Sequence, residues 1–357
     1  MEAPRRVVFT GPGAAEIQSF ELEPPSDDCP TVLVETLFTL ISSGTELAWF
    51  SGMQKDVAGS AFRYPVYSGY CHVGRVLEVD RTETDRFRPG DVVVSGAAHA
   101  SVVRLPVRPQ LEVDHADLRR PVAVVPGEIP LQYAPFAKIA EIAMTAVRIA
   151  DFTLGEKVLV VGLGMVGNLT AQLFQLAGAD VLAVDLVDSR LDRSRASGIA
   201  NAARPEGEEF AALLSEWTVG QGADVTVDTT GNSAVLLQSV EWTRRRGDLI
   251  SLGTPRKRVE MNPSPYLWQA HMKGITIKGA LRCLFYPLSH SRVSRRSVAR
   301  DLEEALLRMA RGELKTKPLL TAMYRPEECQ EAFDSLLNGG TSQMGVVFDW
   351  QRTGNGG

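Results

Sequence analysis

The sequence predicts an α/β fold with two domains, one rich in β-strands and one built on a parallel sheet with crossover helices. The chain has 357 residues, more than a single hydrophobic core usually serves. Its first part contains short β-branched runs separated by Gly/Pro turns, the pattern of a small β-barrel or sandwich. After residue 125, apolar strands alternate with helices, as they do in a parallel sheet.

The end of the chain is predicted to return to the first domain. After residue 286 the pattern changes to two amphipathic helices and a final strand. We therefore expect the β-rich domain to comprise residues 1–125 and 286–357, and the parallel-sheet domain to comprise residues 126–285.

Composition and charge exclude several classes of protein. The formal net charge is -5 and no long run of Lys and Arg occurs, so a nucleic-acid partner is not expected. No window approaches the ~20 apolar residues that cross a bilayer, and we expect a cytoplasmic protein without a membrane partner. The 4 cysteines form no CxxC pair, which indicates neither a disulfide framework nor a zinc knuckle.

The strongest chemical signal is a glycine-rich turn between a strand and a helix. Gly162 permits the tight turn, Gly164 lets the backbone approach a pyrophosphate, and Gly167 allows close packing of helix on strand. The helix amides can bind phosphates, and the carboxylate of Asp185 at the next strand end can accept hydrogen bonds from a ribose diol. The predicted cofactor-binding residues are Gly162, Gly164, Met165, Val166, Gly167, Asp185, Arg190, Thr230, Gly253 and Thr254.

Asp185 also bears on the choice of cofactor. Its negative charge would repel a 2′-phosphate, so NAD(H) is favoured over NADP(H). Arg190 and Arg193 follow closely and could reach a phosphate, which leaves NADP(H) open, although solvation on a helix surface is the simpler interpretation of both arginines.

These motifs occur in an order that resembles the medium-chain dehydrogenase/reductase superfamily over nearly the whole chain. The segments that carry the resemblance are "RPGDVV", "GLGMVG" followed by "VD", "GADVTVDTTG", "GDLISLGTP" and "GITIKGA". The resemblance implies a GroES-like β-barrel catalytic domain and a Rossmann domain with a doubly wound parallel sheet. It further implies an NAD(P)-dependent oxidoreductase, and we expect a homodimer.

The zinc ligands of that superfamily are not present at the corresponding positions. Ser43 stands at the usual Cys, Tyr70 and Cys71 replace a His-Glu pair, and Ala137 stands at the third ligand. A tetrahedral zinc site needs thiolate, imidazole or carboxylate donors. The sequence therefore predicts no zinc, and it resembles the zinc-lacking branch that includes bacteriochlorophyllide dehydrogenase and reductive ring-forming enzymes.

The loss of zinc favours one reaction over its alternatives. Hydride addition to a conjugated C=C sends charge to a remote enolate that a few hydrogen bonds can hold, whereas a carbonyl–alcohol pair needs another electrophile near its oxygen. We expect reduction of an enone, enoyl group or polyene, with or without ring closure, in a small apolar substrate of secondary metabolism. A zinc-independent alcohol dehydrogenase and a non-catalytic nucleotide-binding relative are the alternatives.

The same correspondence selects the residues of the reaction. Thr45 and Tyr70 lie at positions that face the nicotinamide in the superfamily, and either could donate a proton or hydrogen bond to a developing oxyanion. Lys138 and Glu141 could relay protons, but an ion pair is favoured. The predicted catalytic residues are Tyr70, Thr45, Glu46, Lys138 and Glu141, and the predicted substrate residues are Trp49 and His99. A packed core tyrosine is the alternative for Tyr70, and a structural role is the commoner one for a lone histidine such as His99.

Overall fold

The structure is a computed structural model that describes residues 3–25, 29–55, 61–80, 86–107, 121–256, 259–281, 294–338 and 342–351. The chain divides into two compact units. Unit 1 comprises Met1–Glu141, Arg282–Gly312 and Leu320–Gly357, and unit 2 comprises Ile142–Leu281 and Glu313–Leu319. The division expected from the sequence, after residues 125 and 285, stays a prediction.

The described residues form sixteen strands and nine α-helices. The strands are β1 Arg5–Gly11, β2 Ala14–Ser19, β3 Thr31–Leu40, β4 Val66–Tyr67, β5 His72–Val79, β6 Val92–Ser95, β7 Val102–Pro106, β8 Ala123–Val124, β9 Lys157–Val161, β10 Asp180–Val184, β11 Ala202–Ala203, β12 Ala223–Asp228, β13 Thr243–Ser251, β14 Thr276–Gly279, β15 Leu320–Tyr324 and β16 Gly345–Asp349. The helices are α1 Thr45–Phe50, α2 Phe136–Ile149, α3 Met165–Leu176, α4 Asp188–Ala196, α5 Gly207–Trp217, α6 Ser233–Trp242, α7 Ser264–Lys273, α8 Val298–Ala310 and α9 Cys329–Asn338.

Unit 1 is built on two mainly antiparallel sheets. A three-stranded sheet has the order β2-β1-β4, and a seven-stranded sheet has the order β15-β16-β3-β5-β6-β8 with β7 paired to β3. The long strand β3 is buried along almost its whole length because neighbours pair with it on both sides and both of its faces are covered. The carboxyl end of β3 leads directly into the turn before α1. Ser42 lies in this turn, and Thr45 begins the helix.

An aromatic cluster fixes α1 against the sheets of unit 1. Phe50 at the end of α1 packs against Phe9 of β1 and Phe333 of α9, with ring centroids 5.5 Å and 5.3 Å away. All three side chains are fully buried, so each contributes roughly 1.5–3 kcal/mol of burial free energy. The tail helix α9 thus packs in the same core as the N-terminal strand β1.

Unit 2 contains a six-stranded parallel sheet in the order β11-β10-β9-β12-β13-β14. The chain starts at β9, runs outward to β11, and then returns to the other side of β9 at β12. This is the doubly wound order, and its switch point lies between β9 and β12. Alternate residues of β9 serve opposite faces: Val158 and Val160 pack in one apolar core, and Leu159 and Val161 pack in the other.

Within the described ranges, no helix combines the length and the apolar character required to cross a membrane.

Candidate functional site

The glycine loop of unit 2, Gly162–Gly167, follows β9 at the switch point of the sheet. Gly162 has φ +89°, a conformation that disfavours side chains. A Cβ on Gly167 would lie 1.8 Å from the carbonyl oxygen of Gly162, so only glycine lets α3 approach the loop this closely. A Cβ on Gly164 would meet nothing within 4 Å, which leaves open space beside the start of the helix.

The helix α3 begins with unpaired backbone donors at this open space. Gly164 is its N-cap and offers no side-chain cap, and the amide of Asn168 makes a helical bond of 2.9 Å to the Gly164 carbonyl. The amides of Met165 and Val166 in the first turn have no acceptor within the helix. Free amides, the helix dipole and room for a ligand together fit a pyrophosphate, and the assignment of these residues to the cofactor stays a prediction.

The neighbouring strand ends are packed against the glycine loop. Thr229, which sequence reasoning missed, donates its hydroxyl to the carbonyls of Val161 (3.0 Å) and Gly162 (2.8 Å) and so holds the turn. The first threonine of "DTTG" was the available signal. Gly253 at the end of β13 lies against the loop that follows β12, because a Cβ added to it would be 2.5 Å from the amide nitrogen of Gly231.

The predicted contact Thr230 is occupied by an interaction within its own loop. Its hydroxyl donates to Asp228 Oδ1 at 2.6 Å, and its amide donates to the same oxygen at 3.0 Å. Burial raises the pKa of the Asp228 carboxyl above its usual value. The hydrogen bonds between Thr230 and Asp228 thus fix the backbone at the end of β12. Thr254, which follows β13, lies against the next residue of the same loop, because its carbonyl oxygen would be 2.7 Å from a Cβ on Gly231.

Asp185 stands at the end of β10 with both carboxylate oxygens engaged. Oδ2 accepts hydrogen bonds from the amide of Leu163 (2.7 Å) and from Arg190 (3.3 Å), and Oδ1 accepts one from the amide of Val187 (2.9 Å). The Asp185 carboxylate therefore braces the glycine loop and is paired with Arg190. Arg193 donates to the carbonyl of Pro318 at 2.9 Å, which is a structural role.

In unit 1, three side chains form a hydroxyl cluster, namely Ser42, Thr45 and Tyr70. The Tyr70 hydroxyl is hydrogen-bonded to Ser42 Oγ, and Thr45 is a further hydrogen-bond partner of this hydroxyl. Burial raises the pKa of Tyr70 far above its usual value, so the phenol stays protonated at neutral pH. The cluster can therefore act as a hydrogen-bond donor, whereas its tyrosine is a poor base.

Trp49 and Ser42 complete the surroundings of this phenol. The Trp49 ring lies edge-on to Tyr70, with centroids 6.4 Å apart, so the predicted substrate residue does adjoin the predicted catalytic one. Ser42 was missed from the sequence. The sequence offered only the pair of serines in "SSGTE" as an indication. The fold is needed to show that the first of them, Ser42, is hydrogen-bonded to Tyr70.

Glu46 and His99 form a buried pair beside the hydroxyl cluster. Glu46 Oε2 lies 2.9 Å from His99 Nε2, and Glu46 Oε1 accepts a hydrogen bond of 2.8 Å from the amide of Ser42. Both side chains are completely inaccessible to solvent. Of the two roles that the sequence left open for His99, these contacts disagree with lining the substrate and agree with the structural role, because the ring faces Glu46 within the core.

Lys138 and Glu141 lie on the first turns of α2 as a second buried pair. Their Nζ and Oε2 atoms are 2.6 Å apart, and the side chains are at most 1% exposed. This is the ion pair that the sequence favoured. A fully buried pair is held by its mutual attraction because either charge alone would be costly to bury.

The residues at the expected ligand positions do not fit a zinc ion. Tyr70 is a protonated phenol bonded to Ser42, Ala137 is buried and has no donor, and Ser43 offers only a neutral hydroxyl. In the part of the chain that the structure describes, no group of three His, Cys, Asp or Glu side chains could hold a metal ion.

Comparisons with known proteins agree with the fold. Residues 165–294 match the family model described as "Zinc-binding dehydrogenase". An L-threonine 3-dehydrogenase from Anaeromyxobacter sp. (strain K) is 26% identical over 328 residues, which cover 85% of this chain and 85% of that protein. These matches support the zinc-binding dehydrogenase family. The medium-chain dehydrogenase type of enzyme that the sequence predicted is confirmed at this level.

Solved structures share the architecture at low identity. An oxidoreductase/dehydrogenase of unknown specificity from Escherichia coli is 18% identical with a TM-score of 0.77, over 97% of this chain and 99% of that one. A short chain alcohol dehydrogenase from E. coli, complexed with NADH, is 15% identical with a TM-score of 0.76, again over 97% and 99%. The predicted fold, a parallel-sheet domain with a separate catalytic domain, is thereby confirmed.

Proposed function

We propose that this chain is a zinc-independent, NAD(P)H-dependent oxidoreductase that transfers hydride to a conjugated C=C of a small apolar metabolite. The observation that carries the proposal is the hydroxyl cluster, in which a protonated Tyr70 occupies the position of an expected metal ligand. Its substrate class would include enones, enoyl groups and polyenes, with or without ring closure.

The chemistry of the cluster suits an enolate better than an alkoxide. Hydride addition to the carbon β to a carbonyl moves negative charge onto the carbonyl oxygen, where neutral hydroxyl donors can stabilise it. Tyr70 and Thr45 are such donors, and the raised pKa of Tyr70 keeps its proton in place. The buried side chains of Glu46, Lys138 and Glu141 cannot reach a substrate directly, so we assign them to holding the site.

The glycine loop would hold the nicotinamide dinucleotide in unit 2. A Cβ on Gly164 would meet no atom within 4 Å, which supports a pyrophosphate there, and the bound cofactor would supply the hydride. We propose NAD(H) as the preferred form because the carboxylate of Asp185, at the end of β10, would repel a 2′-phosphate bound beside it. Arg190 offsets part of that charge, which keeps NADP(H) as a weaker alternative.

A zinc-independent alcohol dehydrogenase is the second candidate. Similarity to an L-threonine 3-dehydrogenase supports the alcohol dehydrogenase part of this candidate. Such a reaction would need the same hydroxyl cluster to take up the proton of the substrate alcohol, and a tyrosine with a raised pKa is a poor base for that step. We therefore rank reduction of the double bond first.

A two-part assay tests the proposal. Purified protein should contain far less than one zinc per chain by elemental analysis, and a chelator should leave its activity unchanged. NADH oxidation should be faster with benzylideneacetone than NAD⁺ reduction is with L-threonine or the matching allylic alcohol. Turnover of the alcohols alone would favour the second candidate instead, and stoichiometric zinc would contradict the zinc independence of both candidates.

We also propose a homodimer formed through the edge of the unit 2 sheet. Helix α7 and the edge strand β14 expose several large apolar side chains, namely Leu267 (54%), Trp268 (63%), Met272 (49%) and Ile277 (49%). Light scattering should give twice the chain mass, and Trp268→Glu should give monomers. Leu154→Glu, at an exposed leucine elsewhere in unit 2, is the control and should remain dimeric. A monomeric wild type would disprove this assembly.

A further inference from the structure

The Glu46 side chain connects the hydroxyl cluster to a distant part of unit 1. One carboxylate oxygen accepts a hydrogen bond from the Ser42 amide at 2.8 Å. The other lies 2.9 Å from the ring of His99, which is 53 positions further along the chain. The backbone of Glu46 also donates to the Ser42 carbonyl at 2.9 Å. Ser42 is therefore fixed by Glu46 through both its amide and its carbonyl.

The hydroxyl end of Tyr70 depends on this fixed serine. Ser42 Oγ is a hydrogen-bond partner of the Tyr70 hydroxyl, and Ser42 itself is almost completely buried. A shift of the Ser42 backbone would therefore move the partner of the phenol. Because hydrogen bonds weaken steeply with distance and angle, a small shift would release the Tyr70 hydroxyl.

The backbone end of Tyr70 depends on His99. The preceding residue, Gly69, has φ +101°, and a Cβ there would lie 2.4 Å from the His99 amide nitrogen and 2.8 Å from its ring carbon Cγ. The His99 amide also donates to the carbonyl of Ser68 at 2.8 Å. The loop that leads into Tyr70 thus lies directly against the histidine that Glu46 holds.

We infer that Glu46 and His99 are positioning residues for Tyr70, which hold its hydroxyl end through Ser42 and its backbone end through Gly69. The inference rests on the proposed role of Tyr70 in hydride transfer. Neither residue of the pair is accessible to solvent, so neither touches the substrate. Sequence correspondence placed Glu46 among the catalytic residues and His99 beside the substrate, whereas the contacts assign both to the support of one phenol.

The burial of Glu46 and His99 agrees with a role in positioning Tyr70 rather than in stabilising the fold of unit 1. Burying a carboxylate costs several kcal/mol, and a buried ionic pair often stabilises a fold no better than apolar residues would. Among the described residues, His99 Nδ1 has no hydrogen-bond partner, so Glu46 alone orients the ring by hydrogen bonding. The His99 ring is also oriented by edge-on packing against the ring of Phe348, with the two centroids 5.1 Å apart.

Four variants separate positioning from general damage. Glu46→Ala removes the link to both partners, whereas Glu46→Gln keeps the shape and an acceptor for the Ser42 amide. His99→Phe keeps a ring against Phe348 but removes the bond to Glu46. The matched control is His72→Phe, at another buried histidine of unit 1, whose ring nitrogens bond Thr36 and Ser95 instead.

The first measurement does not depend on activity. In protein labelled with fluorotyrosine, Tyr70→Phe identifies the Tyr70 fluorine resonance among the 7 tyrosines. Glu46→Ala and His99→Phe should shift or broaden that resonance, while Glu46→Gln and His72→Phe should leave it near its wild-type position. An unchanged Tyr70 resonance in both Glu46→Ala and His99→Phe would overturn the inference. Should one of these two variants fail to fold, the other decides.

The second measurement is kinetic and uses benzylideneacetone with NADH. His99→Phe should lower kcat on the order of 10–100-fold, as small misplacements of catalytic groups do, with little change in the KM for NADH. In a Tyr70→Phe background the same substitution should cause almost no further loss. Equal losses in both backgrounds would show that His99 acts independently of Tyr70. If wild-type protein reduces no probe, the proposed function fails, and the fluorine spectra alone decide the positioning role.

Discussion

Replacing Gly167 with alanine should damage unit 2 because there is no room for a methyl group. The new Cβ would lie 1.8 Å from the Gly162 carbonyl oxygen and 2.6 Å from Thr229 Oγ1. Ordinary contact begins at 3.4 Å, so helix and loop would have to separate by about 1.6 Å. Overpacking typically costs 1–3 kcal/mol, and a clash with backbone belongs at about 3 kcal/mol or above. At roughly 2–4 °C per kcal/mol for a domain of this size, Tm should fall by about 6–12 °C.

Gly164→Ala is the control that separates folding from binding. With φ -61° and nothing within 4 Å, an alanine there meets no obstacle in the protein itself. Its Tm should stay within about 2 °C of wild type, whereas NADH affinity should fall about tenfold or more because the methyl group occupies the space for the pyrophosphate. Calorimetry and fluorescence titration measure the two effects. Unchanged affinity in Gly164→Ala, or an unchanged Tm in Gly167→Ala, would refute the reasoning about this loop.

Three further changes test other parts of the account. Tyr70→Phe should lower turnover of the conjugated ketone on the order of 10²–10³-fold with unchanged NADH affinity, and a wild-type rate would make Tyr70 a packing residue. Asp185→Ser should narrow or reverse the preference for NADH over NADPH in a fluorescence titration, and a wild-type preference for NADPH would show that Arg190 prevails. Burial lowers the pKa of His72 from 6.5 to about 3, so between these pH values the unfolded chain binds a proton at His72 that the folded chain does not. The free energy of unfolding should therefore be highest above pH 6.5 and should fall as the pH drops toward 3, by up to about 1.4 kcal/mol per pH unit. Urea unfolding at several pH values measures this loss, and His72→Gln should show a smaller slope.

The parallel-sheet unit was the part most readily predicted from the sequence. The turn chemistry of its glycines is local: Gly162 needs a positive φ, and Gly167 needs a short distance to the residue five positions before it. Strands buried on both faces are continuous apolar runs, which are visible without any knowledge of their neighbours. Local rules therefore sufficed to predict both the sheet and the loop that follows β9.

The hydroxyl cluster could be predicted only in part because its contacts join distant segments. Tyr70 and Thr45 were found through the positions of missing metal ligands. Ser42 was missed because its contact with Tyr70 spans 28 positions and follows from how β3 and β5 pair. No local pattern places His99 against Glu46, which explains why the sequence left that histidine open between a substrate role and a structural one.

The choice of cofactor could likewise be predicted only in part from the sequence. The sequence identified Asp185 and, separately, Arg190 as competing determinants of cofactor choice. Only the fold shows that the two side chains are paired and that the same carboxylate also accepts the Leu163 amide. Asp185, which the sequence predicted to bind the ribose, thus also holds the glycine loop through the Leu163 amide. A sequence pattern cannot distinguish a ligand-binding role from this structural one.

The position of the transferred hydride tests the central claim most directly. NADH deuterated on the transferred face of the nicotinamide is incubated with benzylideneacetone and the wild-type protein, and the product is examined by NMR and mass spectrometry. Reduction of the conjugated double bond predicts a saturated ketone with deuterium on the carbon β to the carbonyl, without added zinc. Deuterium on the carbinol carbon of an allylic alcohol would contradict the account and establish the alcohol dehydrogenase instead.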